Sequence, residues 1–334
     1  MMQITETSTD EEVFVIAEIG NNHEGDFMRA KEMIREAARA GVDAVKFQPI
    51  VPDKFVTSVD VGRLEQLKSF QLDWAQYEAL SEEAKSSGVI FFTTPFDLDS
   101  VAFLNTLQPL FKIASGDNTF FPLIEAVAGF GKPAIISTGL ADLALLDEIY
   151  QIWTENAGGA DLAFLHCVAS YPVPREQSNL RAISTLTGRY PDVTIGYSDH
   201  TLGIEAATLA VGVGARIIEK HFTLDKNLSD FRDHQLSADP HEMSALVEAV
   251  GRANSLRGTG VKEPQPCENV TATAIRRSIA AARDLTTGGQ IVPGDLTWLR
   301  PGHGIAPGNE KELIGRRLRF AVRKGEIITP DMCV

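Results

Sequence analysis

The sequence predicts a (β/α)8 barrel followed by a small β-rich domain. Three observations carry that expectation. Short β-rich runs alternate with amphipathic stretches from residue 13 to about residue 253, as repeated βα units require. Several amphipathic stretches stop at a glycine, notably Gly41, Gly88, Gly131 and Gly214, where a left-handed helix cap is expected. The open doubly wound sheet is the structural rival, but its GxGxxG fingerprint does not follow the first strand.

In order, the runs read as strands are 13–18, 44–48, 90–94, 111–114, 134–137, 162–167, 193–197 and 216–221. Helical patterns lie between them at 28–40, 76–87, 100–106, 123–129, 143–156 and 204–213. Eight βα units over roughly 240 residues match the size of such a barrel. Residues 1–256 are therefore assigned to it. Residues 257–275 read as a linker, because Gly258, Gly260, Pro264 and Pro266 interrupt a polar stretch without periodicity. Beyond it, residues 276–334 carry short β-type runs at 278–282, 298–300, 318–321 and 327–328, separated by Gly and Pro. A module of about 60 residues is near the lower limit of independent stability, so it is expected to lean on the barrel or on a partner subunit.

Composition narrows the function. A net charge of -14 argues against nonspecific nucleic-acid binding. Cys167, Cys267 and Cys333 lie far apart with no CxxC pair, which fits a reduced, cytoplasmic setting better than a disulfide scaffold. No apolar run is long enough for a membrane span, and Glu6, Asp10, Glu11 and Glu12 make the N-terminus too acidic for a signal peptide.

Functional residues of such barrels sit at the C-terminal ends of the strands. Glu18 closes the first run, Lys46 lies on the second and Thr94 closes the third. Lys112 and Ser115 belong to the fourth, Ser137 ends the fifth and Tyr171 follows the sixth. Ser198 and His200 follow the seventh, and Glu219 and His221 lie on the eighth. Two histidines at adjacent strand ends suit a borderline divalent metal with open positions. Two lysines with three hydroxyls suit an anionic ligand, since a buried unpaired lysine is costly. Each residue alone has a plainer reading: a salt-bridged lysine, or a core histidine with satisfied hydrogen bonds. His23 and His166 are read as structural, His241 as a surface helix residue, Cys167 as packing, and Asp233 and His234 as part of a loop or turn. The joint occurrence at strand ends favours function.

Ordered motifs extend this: Ala17-Glu18-Ile19-Gly20-x-Asn22-His23, Val45-Lys46-Phe47-Gln48, Thr94-Pro95-Phe96, Lys112-Ile113-x-Ser115-Gly116, Ser137-Thr138-Gly139, Tyr171-Pro172, Gly196-Tyr197-Ser198-Asp199-His200-Thr201 and Glu219-Lys220-His221-Phe222. With them the chain resembles the sialic acid synthase family, the phosphoenolpyruvate-dependent nonulosonate synthases, over nearly its whole length. The tail motif Arg300-Pro301-Gly302-x-Gly304 resembles the antifreeze-like (SAF) domain that ends those proteins. The resemblance implies condensation of phosphoenolpyruvate with the aldehyde of an open-chain 2-acetamido sugar and release of phosphate. It implies that His200 and His221 bind Mn2+, with Mg2+ or Co2+ as alternatives. Lys46, Thr94, Lys112, Ser115, Ser137 and Ser198 would hold phosphoenolpyruvate. Glu18, Asp117, Tyr171, Asp233 and Arg300 would face the sugar, with Glu18, Asp233 and His221 in catalytic roles. It also implies a domain-swapped homodimer in which Arg300 reaches the partner's site.

Three departures bear on substrate. Ala169 stands where relatives often carry Asn or Ser, Asp117 replaces a common Glu, and the loop from His221 to Asp233 reads as one residue longer. Both N-acetylmannosamine and a diacetamido-trideoxyhexose stay open as acceptors. The rivals are a related 3-deoxy-sugar-acid synthase, which lacks the C-terminal domain, and a non-catalytic sugar-binding barrel, which need not keep buried charge.

Overall fold

The computed structural model describes residues 2–4, 7–8 and 12–334. Among them the chain forms two compact units, Met1–Gly258 and Thr259–Val334.

The first unit is a nearly closed barrel of eight parallel strands. They are β1 (Phe14–Gly20), β2 (Ala44–Phe47), β3 (Ile90–Thr93), β4 (Phe111–Ile113), β5 (Ala134–Ser137), β6 (Leu162–Cys167), β7 (Thr194–Asp199) and β8 (Ile217–His221). The hydrogen-bonded order is β3-β2-β1-β8-β7-β6-β5-β4, so pairing runs round the barrel and is interrupted between β3 and β4. Helices α1 (Phe27–Arg39), α2 (Trp74–Ser86), α3 (Leu98–Leu107), α4 (Phe121–Ala128), α5 (Leu143–Asn156), α6 (Arg181–Arg189), α7 (Glu205–Gly212) and α8 (Pro240–Arg257) follow the strands in turn. Five of them start at an aspartate whose carboxylate accepts a first-turn N–H: Asp26, Asp73, Asp97, Asp142 and Asp239. Each such cap is worth about 1 kcal/mol. Gly41, Gly88, Gly131 and Gly214 do adopt the positive φ expected beyond helix ends.

Strand alternation sorts the barrel residues into two cores. Val15, Ala17 and Ile19 of β1 pack outward among the helices, with Val45, Phe164 and Ile218 of other strands. Phe14 and Ile16 belong to a separate cluster with Ala44, Phe92, Leu110, Ile135, Ala163, Leu165 and Ile217, which fills the interior. Met2 joins that cluster, its backbone nitrogen 2.6 Å from the Thr194 hydroxyl. Gly196 is needed in this interior: a Cβ there would lie 2.5 Å from the Ile217 carbonyl.

Two elements differ from the sequence reading. Helix α6 was not expected, because Arg181-Ala182-Ile183-Ser184-Thr185-Leu186-Thr187-Gly188-Arg189 is rich in weak helix formers; its buried residues are Ile183 and Leu186. In the stretch read as linker, Asn269–Ile275 is helical.

In the second unit, Ser278–Ala281 pairs antiparallel with Leu296–Leu299. The expected later strands appear as isolated bridges, Ala280 with Ile327, Leu285 with Val322 and Leu318 with Cys333. Ile279, Leu285, Ile291, Leu313, Leu318 and Ile328 form a core of its own. Among the described residues no helix is long and apolar enough to cross a membrane.

Candidate active site at the carboxyl end of the barrel

Residues i and i+2 of a strand share a face, so β1 continues from Phe14 and Ile16 to Glu18, and β8 from Ile217 to Glu219 and His221. Parallel register then sets the neighbours. Glu18 lies opposite Lys46 on one side and His221 on the other, and Glu219 lies opposite Ser198.

Four buried charges result. The Lys46 ammonium lies 2.6 Å from Glu18 and 3.7 Å from Glu219, and the Lys112 ammonium lies 4.0 Å from Glu219. Hydroxyls surround them. Lys46 donates to Thr94 at 3.2 Å, Lys112 to Ser137 at 2.6 Å, and Ser198 to Glu219 at 3.0 Å. Ser115 accepts the Gly139 N–H at 3.0 Å. Gln48, the last residue of the second motif, donates to Glu18 at 2.6 Å.

The two acids of this group are driven apart. Burial pushes the Glu18 carboxyl above the usual range, against the pull of Lys46. Burial also opposes ionisation of Glu219, but Lys112, Lys46 and the Ser198 hydroxyl outweigh it and hold that carboxyl down. Lys46 is held up by Glu18 and Glu219 despite burial, whereas burial pushes Lys112 down. Lys46 and Glu18 shift in the same direction because Glu219 also holds Lys46, so Glu18 keeps only part of that cation. Lys112 is the cation with least compensation, and a bound anion would supply what it lacks.

Beside this group the imidazoles of His200 and His221 lie 5.3 Å apart between ring centres. Tyr171 packs 4.2 Å from His200 and 6.0 Å from His221, with the Arg232 guanidinium over its ring at 5.2 Å. His200 Nδ1 is 3.0 Å from the Val168 carbonyl. A carbonyl only accepts, so Nδ1 carries a proton and is committed to Val168, which leaves Nε2 as the nitrogen facing other partners. His221 Nδ1 is buried without a hydrogen-bond partner, and burial holds the ring toward its neutral form. Cys167 is buried as expected, and its thiol lies 3.8 Å from His200 Nδ1.

Asp117 lies in the turn Ser115–Asp117, where burial lifts its carboxyl to about 6 against the pull of Lys112. Asp233 opens the short helix Asp233–Leu236 and pairs with Arg232 at 3.3 Å. This segment is helical, not the loop or turn read from sequence. His166 is buried, its Nε2 2.9 Å from the Ser178 carbonyl, and His241 is exposed on α8. Arg300 is exposed in the second unit.

The structure thus gathers Glu18, Lys46, Thr94, Lys112, Ser137, Ser198, Tyr171, His200 and His221 at one end of the barrel. Sequence reasoning placed Glu219 at a strand end and gave it no role, yet it is the charge that joins both lysines. The signal was present: Glu219 and His221 are two apart and share a face.

Comparison with known proteins agrees. The NeuB family matches residues 33–262 and the SAF domain matches residues 276–334. The N,N'-diacetyllegionaminic acid synthase of Legionella pneumophila is 40% identical, over 93% of this chain and 92% of its own. The pseudaminic acid synthase of Campylobacter jejuni is 33% identical over 98% of both. Among solved structures, the N-acetylneuraminic acid (sialic acid) synthetase of Leptospira borgpetersenii superposes with a TM-score of 0.77 at 35% identity. It covers 80% of this chain and 94% of its own.

Proposed function

The chain belongs to the NeuB family of phosphoenolpyruvate-dependent, carbon–carbon bond-forming synthases, and from that premise we propose that it condenses phosphoenolpyruvate with an open-chain 2-acetamido sugar aldehyde. The product is a nine-carbon nonulosonic acid, and phosphate is released. The observation that carries this reading is the buried group Glu18, Lys46, Glu219 and Lys112 beside the two imidazoles of His200 and His221.

Lys112, with Ser115, Ser137 and Ser198, and Lys46, with Thr94, are assigned to the phosphate and carboxylate of phosphoenolpyruvate. Their hydroxyls supply oriented donors and their ammoniums supply charge. The enol carbon attacks the aldehyde carbon, the aldehyde oxygen takes up a proton, and water adds at the former enol carbon as phosphate leaves by C–O cleavage. Acids with oppositely shifted affinities divide such work. Glu18, shifted up, is assigned the proton transfers near the reacting carbons. Glu219, held ionised, keeps both lysines in place. Asp233 and Tyr171 line the sugar side, with Asp117 at the rim.

The donor set fits a divalent ion. His200 is held through Nδ1, which leaves Nε2 as its ligating nitrogen, and His221 has a buried nitrogen without a hydrogen-bond partner. No group of three or more His, Cys, Asp or Glu side chains forms a ligand set among the described residues, so water and substrate oxygens would complete the coordination. We assign His200 and His221 as holders of Mn2+, which when bound supplies Lewis acidity toward the sugar aldehyde.

The N,N'-diacetyllegionaminic acid synthases at 40% and 35% identity support a diacetamido-trideoxyhexose as acceptor. We also assign a domain-swapped homodimer in which Arg300 serves the partner's site. Phosphate release from phosphoenolpyruvate with Mn2+ and a panel of 2-acetamido sugars, each with and without EDTA, tests the whole reading. Release with one acceptor, abolished by EDTA and restored by Mn2+, is expected. Release without any acceptor, or silence across the panel from folded, metal-loaded protein, overturns it.

A further inference from the structure

We propose that Glu24 and His234 form a latch that sets the position of Asp233 at the sugar side of the mouth, an inference that rests on the synthase reading above. The latch crosses the seam where the last strand of the barrel meets the first. His234 is fully buried, and both ring nitrogens are engaged: Nε2 lies 2.7 Å from Glu24 Oε1 and Nδ1 lies 2.8 Å from the Thr223 hydroxyl. Ser229 donates to the same Glu24 oxygen.

A second tie runs beside it. The Asn22 side chain donates to the Phe222 carbonyl at 2.8 Å and to the Ser237 hydroxyl at 3.0 Å, and Ser237 donates to the Asp233 carbonyl at 2.6 Å. The helix Asp233–Leu236 has only four residues and cannot hold its own shape, because so short a helix does not recover the cost of nucleation. Its conformation therefore comes from these ties.

The turn that supplies them is itself fixed. Glu24 has a φ of 48° and Gly25 a φ of 78°, and a Cβ at Gly25 would lie 2.2 Å from the Ser69 carbonyl. The turn is thus pressed against the end of the helix Val61–Phe70. Phe70 in turn packs edge-on against Phe231 at 5.2 Å, and Phe231 against His234 at 5.9 Å. Asp233 is tied to the mouth through its neighbour: it pairs with Arg232 at 3.3 Å, the Arg232 guanidinium lies over the Tyr171 ring at 5.2 Å, and that ring lies 6.0 Å from His221. The turn that follows Glu18 therefore also frames Asp233, so the two acids assigned to the sugar share one support. Glu24 and His234 are positioning residues, acting through Asp233.

The experiment compares His234→Ala, Glu24→Ala, the double variant and the milder His234→Gln with the parent enzyme. A misplacement of about 1 Å costs about 100-fold. Each alanine variant should lose about 10- to 100-fold in kcat/KM for the sugar and keep its KM for phosphoenolpyruvate. His234→Gln, which keeps a donor toward Glu24, should recover part of the loss. The double variant should be little worse than the poorer single, because both singles break the shared Glu24–His234 contact. Equal losses for both substrates, or a double variant whose loss is the product of the singles, overturn the proposal. Hydrogen exchange of residues 225–237 tests the latch without substrate or turnover. Faster exchange in both alanine variants supports it, and unchanged exchange overturns it. Silence of the parent enzyme toward every acceptor would instead sink the synthase reading, which separates the two failures.

Discussion

The two ends of the barrel interior are made from the same strands and differ in what they do. At the amino end Phe14, Ala44, Leu110, Ala163 and Ile217, with Met2 among them, form an apolar fill. A few residues along, the same strands present Glu18, Lys46, Lys112, Cys167 and Glu219, all buried and mostly charged. Burying an apolar side chain stabilises the fold, while burying four charges does so only if each is well paired. The amino end thus supports the cost of the carboxyl end. Two substitutions ask whether the ends are separable.

Phe14→Ala should have the largest effect, and on stability. Truncating a fully buried Phe costs about 3–5 kcal/mol, read as a lower urea midpoint. The KM for phosphoenolpyruvate should stay at the parent value; a rise would show that the apolar end also shapes the site. Lys112→Met should do the reverse. Loss of one charged donor at a reacting group costs about 100- to 1,000-fold in turnover. Its nearest carboxylate lies 4.0 Å away and burial already pushes its ammonium down. An apolar replacement of similar length removes the burial cost of the ammonium but leaves Glu219 with Lys46 as its nearby cation, so the urea midpoint should fall, by less than in Phe14→Ala. A large loss of stability would mean that Lys112 is structural.

That division explains what the sequence made legible. Strand ends can be read from runs such as Thr194-Ile195-Gly196-Tyr197-Ser198-Asp199-His200, so Ser198 and His200 could be put near the end of β7 by pattern alone, although the strand runs on to Asp199 and includes Ser198. The inward partner of His221 was equally available, since Glu219 lies two residues earlier, but a count of strand-end residues does not show which acid lies between which lysines. That depends on the register between β1, β2, β7 and β8. Lys220 shows the converse. It is charged and lies between Glu219 and His221, yet it faces out and pairs with Asp199 at 2.9 Å. Helix α6 was hidden by Thr185, Thr187 and Gly188, whose weak propensities are overridden by burial of Ile183 and Leu186. The role of His234 was hidden because its partner Glu24 is 210 residues away.

The smallest expected effect lies at the rim, where the charged end meets solvent. The Asp117 carboxyl has an ordinary value of 3.8 and is lifted by burial to about 6. Below pH 3.8 the residue is protonated in both folded and unfolded chains and costs nothing. Between the two values the unfolded chain releases its proton while the folded one keeps it, so stability falls as pH rises. Above about 6 both are ionised and the loss is complete. Asp117→Asn removes this titration. Its urea midpoint should match that of the parent near pH 3.5 and exceed it slightly at pH 7, with the gap opening across that window. A gap that stays constant with pH would show that Asp117 is solvated in the folded protein. The low affinity for charge would then be confined to the four buried groups deeper in the barrel, and the boundary between the two ends would be sharper than the structure draws it.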